Sequence, residues 1–408
     1  MKMMKAIYLK LLLLLSVSAI VLDANAQLRQ CYDRNTDPKD CVNVITTAVP
    51  LLRVSPDARS GGMGDAGIAL SPDANSIYWN SSKLAFAEDQ FGLSLTYTPW
   101  LRKLAKDIYL ANLSTYYKIN QDQALAFSIR YFSLGNIQFT SQTGEFLQDY
   151  KPNEFAIDGA YALKFSEKLA GGLNLKFVYS NLAGGFEAPG TGSQIKAGVG
   201  AAADINFYYQ DDIKLGDRGG ELAIGANISN VGSKISYQDA NLVQDFVPIN
   251  LGIGGRLSMD VDEFNQLTFL VDINKLMVPS PDTLDENNND IGDHREKALI
   301  TGMLGSFGDA PDGFSEEMRE LMYSLGVEYW YNEQFAVRAG YYTEHRTKGN
   351  RKFLTVGLGL KYRVFGIDMS YLVPTSGNKN PLDNTLRFSL MFDIDQFDDG
   401  DSPSSAIY

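Results

Sequence analysis

From about Phe91 onward the chain is written in short segments whose residues alternate between apolar and polar, and this period of two constrains the fold more than any other feature. In the clearest segment Leu169, Gly171, Leu173, Leu175, Phe177 and Tyr179 alternate with Ala170, Gly172, Asn174, Lys176, Val178 and Ser180. One face suits lipid and the other suits water. Leu125, Phe127, Ile129 and Tyr131 alternate in the same way with Ser128 and Arg130, as do Leu386, Phe388, Leu390 and Phe392 with Arg387, Ser389 and Asp393. A soluble sandwich also alternates, so the connections carry the distinction. Tight ones near Asn120-Gln121-Asp122, Ser166-Glu167, Asp262-Glu263, Asn332-Glu333 and Phe365-Gly366 fall at every second junction. Long ones near 99–107, 135–153, 181–194, 232–249, 275–318, 344–351 and 374–383 lie between them. One connection on the short side, 210–219, is longer than the pattern prefers. Short turns at one end and long loops at the other predict an all-β fold, a transmembrane antiparallel β-barrel of about fourteen strands over residues 91–395.

The first residues join Lys2, Lys5 and Lys10 to the apolar run Leu11 to Leu15 and then to Ala24-Asn25-Ala26. This predicts a secretory signal over 1–26, cleaved near Ala26. No Cys follows Ala26 directly, which argues against a lipoprotein. Although 45% of the residues are hydrophobic, no later run approaches the roughly 20 apolar residues of a spanning helix. Any membrane span is therefore made of strands, and the expected location is the cell outer membrane. Trp330, Tyr331, Tyr341 and Tyr342 stand near strand ends as candidate interfacial aromatics. A formal charge of −13 makes nucleic acid a poor partner.

Residues 27–90 differ in composition from the ladder. A polar leader holds the only two cysteines, Cys31 and Cys41, which in an exported chain form a candidate local disulfide. The stretch 50–90 is rich in Gly, Ala, Asp and Ser. It is too rich in glycine for a lipid-facing strand and too long for a linker, so it is expected to fold back as a plug or hatch in the barrel lumen. Residues 396–408 form an acidic tail.

Gly62-Met63-Gly64-Asp65-Ala66-Gly67 fits the spacing of a dinucleotide-binding loop. It lacks the preceding strand and following helix that aim amides at a pyrophosphate, so close backbone packing inside the lumen is the better reading, and no cofactor is expected. Asp285, Asn287, Asn289, Asp293 and Glu296 match positions of a calcium-loop spacing. Asp290 stands where that loop needs Gly, which favours a solvated acidic loop over a metal site. A short helix is expected over 314–322 with Ser315 as its N-cap. Inward-facing charges are predicted at Arg130, Asp158, Lys176, Asp204, Arg256, Asp272, Glu328, Arg338, Asp368 and Arg387, as ties between plug and wall. With two histidines in the chain, both in predicted outer loops, and no G-x-S-x-G elbow, no catalytic constellation is visible and a non-enzymatic role is expected.

The run Gly62-x-Gly64-x-Ala66-Gly67-x-Ala69, followed by Asp73-Ala74-x-x-Ile77-Tyr78-Trp79-Asn80, resembles the Gly/Ala-rich hatch of FadL-like outer-membrane barrels. In many relatives that Asn is followed by Pro-Ala, whereas here Asn80 is followed by Ser81-Ser82. The run Thr46-Thr47-Ala48-Val49-Pro50-Leu51-Leu52, leading into Ser55-Pro56-Asp57-Ala58-Arg59-Ser60-Gly61-Gly62, is similar to the PorV (LptO) family of the Bacteroidota type IX secretion system. PorQ and PorP barrels share the broader hatch pattern. The resemblance implies a shuttle or adaptor that takes cargo, by its C-terminal signal domain, from the SprA translocon. It delivers that cargo to the PorU sortase complex, which attaches it to lipopolysaccharide. It also implies Gly61, Gly62, Gly64, Asp65, Gly67, Trp79 and Asn80 as the hatch motif. Exposed apolar loop residues Trp100, Leu101, Phe186, Phe246 and Val247 are candidate partner contacts. A FadL-like transporter of hydrophobic small molecules and a lipopolysaccharide deacylase are the alternative functions.

Overall fold

The computed structural model describes residues 42–100, 107–140, 144–185, 195–237, 244–281, 294–375 and 385–394. Its strands are β1 (Phe91–Pro99), β2 (Ile108–Lys118), β3 (Gln123–Leu134), β4 (Ile137–Thr140), β5 (Phe146–Tyr150), β6 (Asn153–Lys164), β7 (Leu169–Asn181) and β8 (Gly198–Leu215). They continue with β9 (Arg218–Gly232), β10 (Asn250–Asp260), β11 (Asn265–Leu276), β12 (Met322–Tyr331), β13 (Phe335–Thr343), β14 (Lys352–Tyr362), β15 (Phe365–Pro374) and β16 (Leu386–Ile394). Fourteen of them close into one antiparallel barrel, in which each strand pairs with its neighbour in sequence and β1 meets β16. The exceptions are β4 and β5, which form a separate hairpin between β3 and β6. Closure satisfies the backbone of every barrel strand and leaves no open edge in the barrel wall.

Alternation sets the two faces as the sequence predicts. Leu125, Phe127 and Ile129 of β3, Leu173, Leu175 and Phe177 of β7, and Leu354, Val356, Leu358 and Leu360 of β14 are exposed on the outer wall. Asn174, Lys176 and Ser180, from the opposite face of β7, are buried. All ten charged residues assigned to the inner face are buried. Among the described residues no helix is long and apolar enough to cross a membrane.

Several local expectations are corrected. The connection at 210–219 is not long, because pairing of β8 with β9 runs on to Leu215 and Arg218, leaving a turn of Gly216 and Asp217. Polar Gln210, Asp211 and Asp212 therefore lie in strand beyond the apolar belt, where backbone pairing needs no apolar side chain. The turn expected at Phe365-Gly366 sits two residues earlier, at Arg363 and Val364, with Arg363 at φ 54°. Trp330 and Tyr342 share the inward parity of Glu328 and Arg338, so they face the lumen and not the interface. The helix Phe314–Arg319 is capped by Gly313 at φ 62°, and Ser315 lies within it, its Oγ accepting from Arg319.

Candidate functional site

Residues 50–87 make their contacts with inward-facing side chains around the whole wall. The segment begins with the turn Pro50–Arg53, where the Leu51 amide donates to Glu154 Oε2 of β6 at 3.2 Å. Asp57 then caps the short helix Ala58–Gly61 by accepting from the Ser60 amide at 2.7 Å, and its other oxygen accepts from Trp79 Nε1 at 2.8 Å. The Ala58 amide donates to Ser389 of β16 at 3.0 Å. Arg59 reaches across the lumen to Glu328 of β12, at 2.9 and 3.1 Å, and also to Asp73 and Ser71. Glu328 in turn accepts from Arg338 Nε at 2.6 Å, and Arg338 donates to Asp368 at 2.6 Å. Charge-assisted bonds of this length between buried groups are strong and directional.

The glycine run is a packing device. Gly64 has φ +69°, and a Cβ there would lie 2.7 Å from the Tyr341 backbone; its amide donates to Thr355 Oγ1 at 2.8 Å. A Cβ on Gly67 would strike the Trp79 ring at 2.3 Å. The Gly67 and Ile68 amides both donate to Asp272 of β11, at 2.7 and 3.0 Å, while the buried Lys83 donates to the Gly67 carbonyl at 2.7 Å. One peptide unit is thus clamped by a wall carboxylate on one side and an ammonium on the other. Gly61 and Gly62 are buried against Arg387 and Gly357, and Asp65 accepts from Arg387 at 3.0 Å.

Asn80 caps the following turn Ser81–Phe86 and donates to the Phe207 carbonyl of β8 at 2.9 Å. Asn227 holds the Trp79 carbonyl at 2.6 Å, and Asn174 holds that of Ile77 at 2.8 Å. Farther along the inner wall Lys176 joins Asp204 to Asn230, the latter at φ 61° opposite a register shift in β8. A polar cavity of about 110 Å³ remains beside the segment, lined by Arg53, Asp65, Tyr78, Lys176, Asn230 and Arg351 among others.

All seven hatch-motif residues therefore come together in the lumen. Sequence reading missed Arg59, Asp57 and Lys83, which lie in stretches too short to show a period. It also missed two clusters in the connecting loops. Arg351 and Arg53 pair with the buried Glu344, and Lys275 and Lys348 share the buried Glu316, Glu317 and Glu320. Here Asn43 donates to Glu316, tying in the leader.

Burial by itself would raise the Glu344 carboxyl, but the Arg351 guanidinium, helped by Arg53, outweighs it and holds the group below its ordinary range. A depressed carboxyl stabilises the fold fully above its unfolded value, about 4.3, and loses that contribution as pH falls through the folded value. Acid should therefore loosen the loop cluster before the barrel. The expected readout is faster proteolysis near 344–351 on acidification from neutral pH, with a Glu344→Gln variant already susceptible at neutral pH and flatter in its response.

The proposed partner contacts divide. Trp100 is half-buried and stacks on Phe132 with ring centroids 4.8 Å apart. Phe246 and Val247 are not exposed as expected. Each is 2% accessible and packs with Leu51, Leu52 and Ile249, because the leader folds back and the Ala48 amide donates to the Phe246 carbonyl at 2.9 Å. Leu101, Phe186, Cys31, Cys41, Asp285, Asn287, Asn289 and Asp293 lie outside the described residues, as do the signal segment and the acidic tail. Glu296 is exposed in the turn His294–Glu296.

A family model described as "Type IX secretion system protein PorV" matches residues 37–283. Among solved structures, the Pseudomonas putida toluene transporter TodX is 13% identical, covering 83% of this chain and 99% of its own, with a TM-score of 0.49. The Ralstonia pickettii toluene transporter TbuX is 12% identical over 83% of this chain and 98% of its own, at 0.47. A Pseudomonas aeruginosa FadL homologue is 12% identical over 86% of this chain and 100% of its own, at 0.41. No curated protein sequence matches this chain.

Proposed function

The chain belongs to the PorV family of the type IX secretion system, and from that premise we propose that it is an outer-membrane shuttle and adaptor, with its lumen closed by residues 50–87 acting as a plug. On this reading it takes cargo by the C-terminal signal domain from the SprA translocon and passes it to the PorU attachment complex. The observation that carries the reading is the lumen itself. The Arg59, Glu328, Arg338 and Asp368 network, the Gly67 clamp on Asp272 and the asparagine ties to Ile77 and Trp79 bind the segment to strands on several sides of the wall. A barrel so filled has no passage for a polypeptide, which leaves its loops and outer wall as working surfaces.

A transporter of hydrophobic small molecules would need a continuous apolar path. The inner face instead carries buried Arg130, Asp158, Lys176, Asp204 and Arg256. Dragging an apolar solute past them would strip those charges of their partners. Affinity purification from the native outer membrane tests the proposal. Co-purified translocon, attachment complex and cargo are the expected result, and bound lipid or solute without protein partners would favour transport instead.

A further inference from the structure

The connection between β11 and β12 does something the barrel does not require: it folds down over the outer wall. Lys275 continues the outward-facing row of Val271 and Ile273, yet it is buried, because the helix Phe314–Arg319 lies across it. Its ammonium pairs with Glu317 at 2.9 Å and Glu320 at 2.5 Å and sits 5.7 Å from the centre of the Phe307 ring. Ser280 also donates to Glu320 at 2.5 Å. Buried ion pairs thus hold this loop to the barrel flank at the end of the strands that carries the long loops.

Beneath the draped loop lies a cavity of about 220 Å³. Its floor is Leu251, Ile253 and Ile273, the last two on the exposed outer belt, and its roof is Phe307, Phe314 and Met318. The cavity therefore opens onto the surface that the barrel presents to lipid. Phe314, 79% exposed at its rim, joins the exposed Met318 of the roof and the exposed Ile253 and Ile273 of the floor in one contiguous apolar patch. A docked peptide strand is excluded as occupant by the floor, since β10 and β11 pair with each other and with β9 and β12 and offer no free backbone.

We propose that this groove holds one acyl chain of an outer-leaflet lipid, entering sideways from the bilayer, with the Lys275 ion pairs fixing the roof that grips it. The chain supplies the apolar contact that Phe314 and Met318 lack, and the groove anchors a lipid beside the longest loop. The chemistry is that of a hydrocarbon tail, whether it comes from a phospholipid or from lipopolysaccharide.

The test uses the full chain carrying Phe314→Trp, reconstituted into vesicles of phosphatidylcholine brominated along its acyl chains. Heat-modifiable migration on gels verifies the folded barrel. The new tryptophan should be quenched at least about twofold more than the native Trp79, Trp100 and Trp330 together, because it touches chain carbons directly. Adding Ile253→Phe, which fills the groove from its floor, should remove most of that excess. Unbrominated lipopolysaccharide that relieves the quenching would identify the glycolipid as the preferred source, and quenching that persists would assign the site to phospholipid. Quenching no greater than that of the native residues would overturn the proposal. So would quenching indifferent to Ile253→Phe, because the ring would then lie in bulk lipid and not in the groove.

Discussion

Replacing Gly64 with Val is expected to leave an inserted barrel that conducts ions. At φ +69° the backbone of Gly64 is one that a β-branched residue adopts only at a cost of about 1–2 kcal/mol. Its new Cβ would also meet the amide nitrogen and carbonyl oxygen of Tyr341 at 2.7 Å. Those atoms belong to β13, which is paired with β12 and β14, so they cannot retreat without breaking the ladder. Overpacking of this kind adds about 1–3 kcal/mol, for a total of about 2–5 kcal/mol against the docked segment. The ladder itself gains no clash, so insertion and heat-modifiable migration should survive while the segment is displaced. Planar-bilayer recording checks this: the wild type should be closed and Gly64→Val should carry a steady current. Gly159, which has open space around its Cβ position, provides the control, and Gly159→Ala should stay closed. A silent Gly64→Val barrel would mean that the substitution does not displace the segment or that the segment is not what closes the lumen.

Much of this arrangement was legible in the sequence because a period of two assigns faces without any knowledge of partners. Arg130, Asp158, Lys176 and Glu328 could be placed on the inner wall from parity alone, and burial agrees. The same rule turns Trp330 and Tyr342 inward, although their residue types suit an interface. Phe246 and Val247 are illegible for a different reason. Their burial depends on Leu51 and Leu52, nearly two hundred positions earlier, and no local pattern announces a contact of that range. The Gly62 to Gly67 run was readable as close packing, but the identity of its neighbours was not. That Gly64 abuts Tyr341, and that Lys83 and Asp272 clamp the Gly67 peptide, follows from how the segment threads the closed barrel. Arg59 sits in a four-residue helix, which is too short to show a face, so a cation that joins Glu328, Asp73 and Ser71 left no trace in the pattern.

Truncation of Glu328 to Ala should be the most damaging single change in the lumen that leaves the backbone untouched. Its carboxylate is 2% exposed and receives both Arg59 and Arg338. Without it, Arg59 retains Asp73 and Ser71, and Arg338 retains Asp368, but two buried guanidiniums then face each other across the vacated space. Breaking a buried pair from one side costs about 3–5 kcal/mol, because the surviving charge keeps its desolvation penalty and loses its partner. The loss should appear as a lower denaturant midpoint and as current through the barrel. A double-mutant cycle separates charge from packing. Arg59→Met combined with Glu328→Gln removes one charge of each sign while Arg338 keeps Asp368, so the double variant should be less destabilised than the sum of the two singles by about 1–3 kcal/mol. Strict additivity would show that Arg59 and Glu328 act independently. In that case the segment would be held by its glycine contacts and asparagine ties, and the ion pair across the lumen would contribute little to keeping it in place.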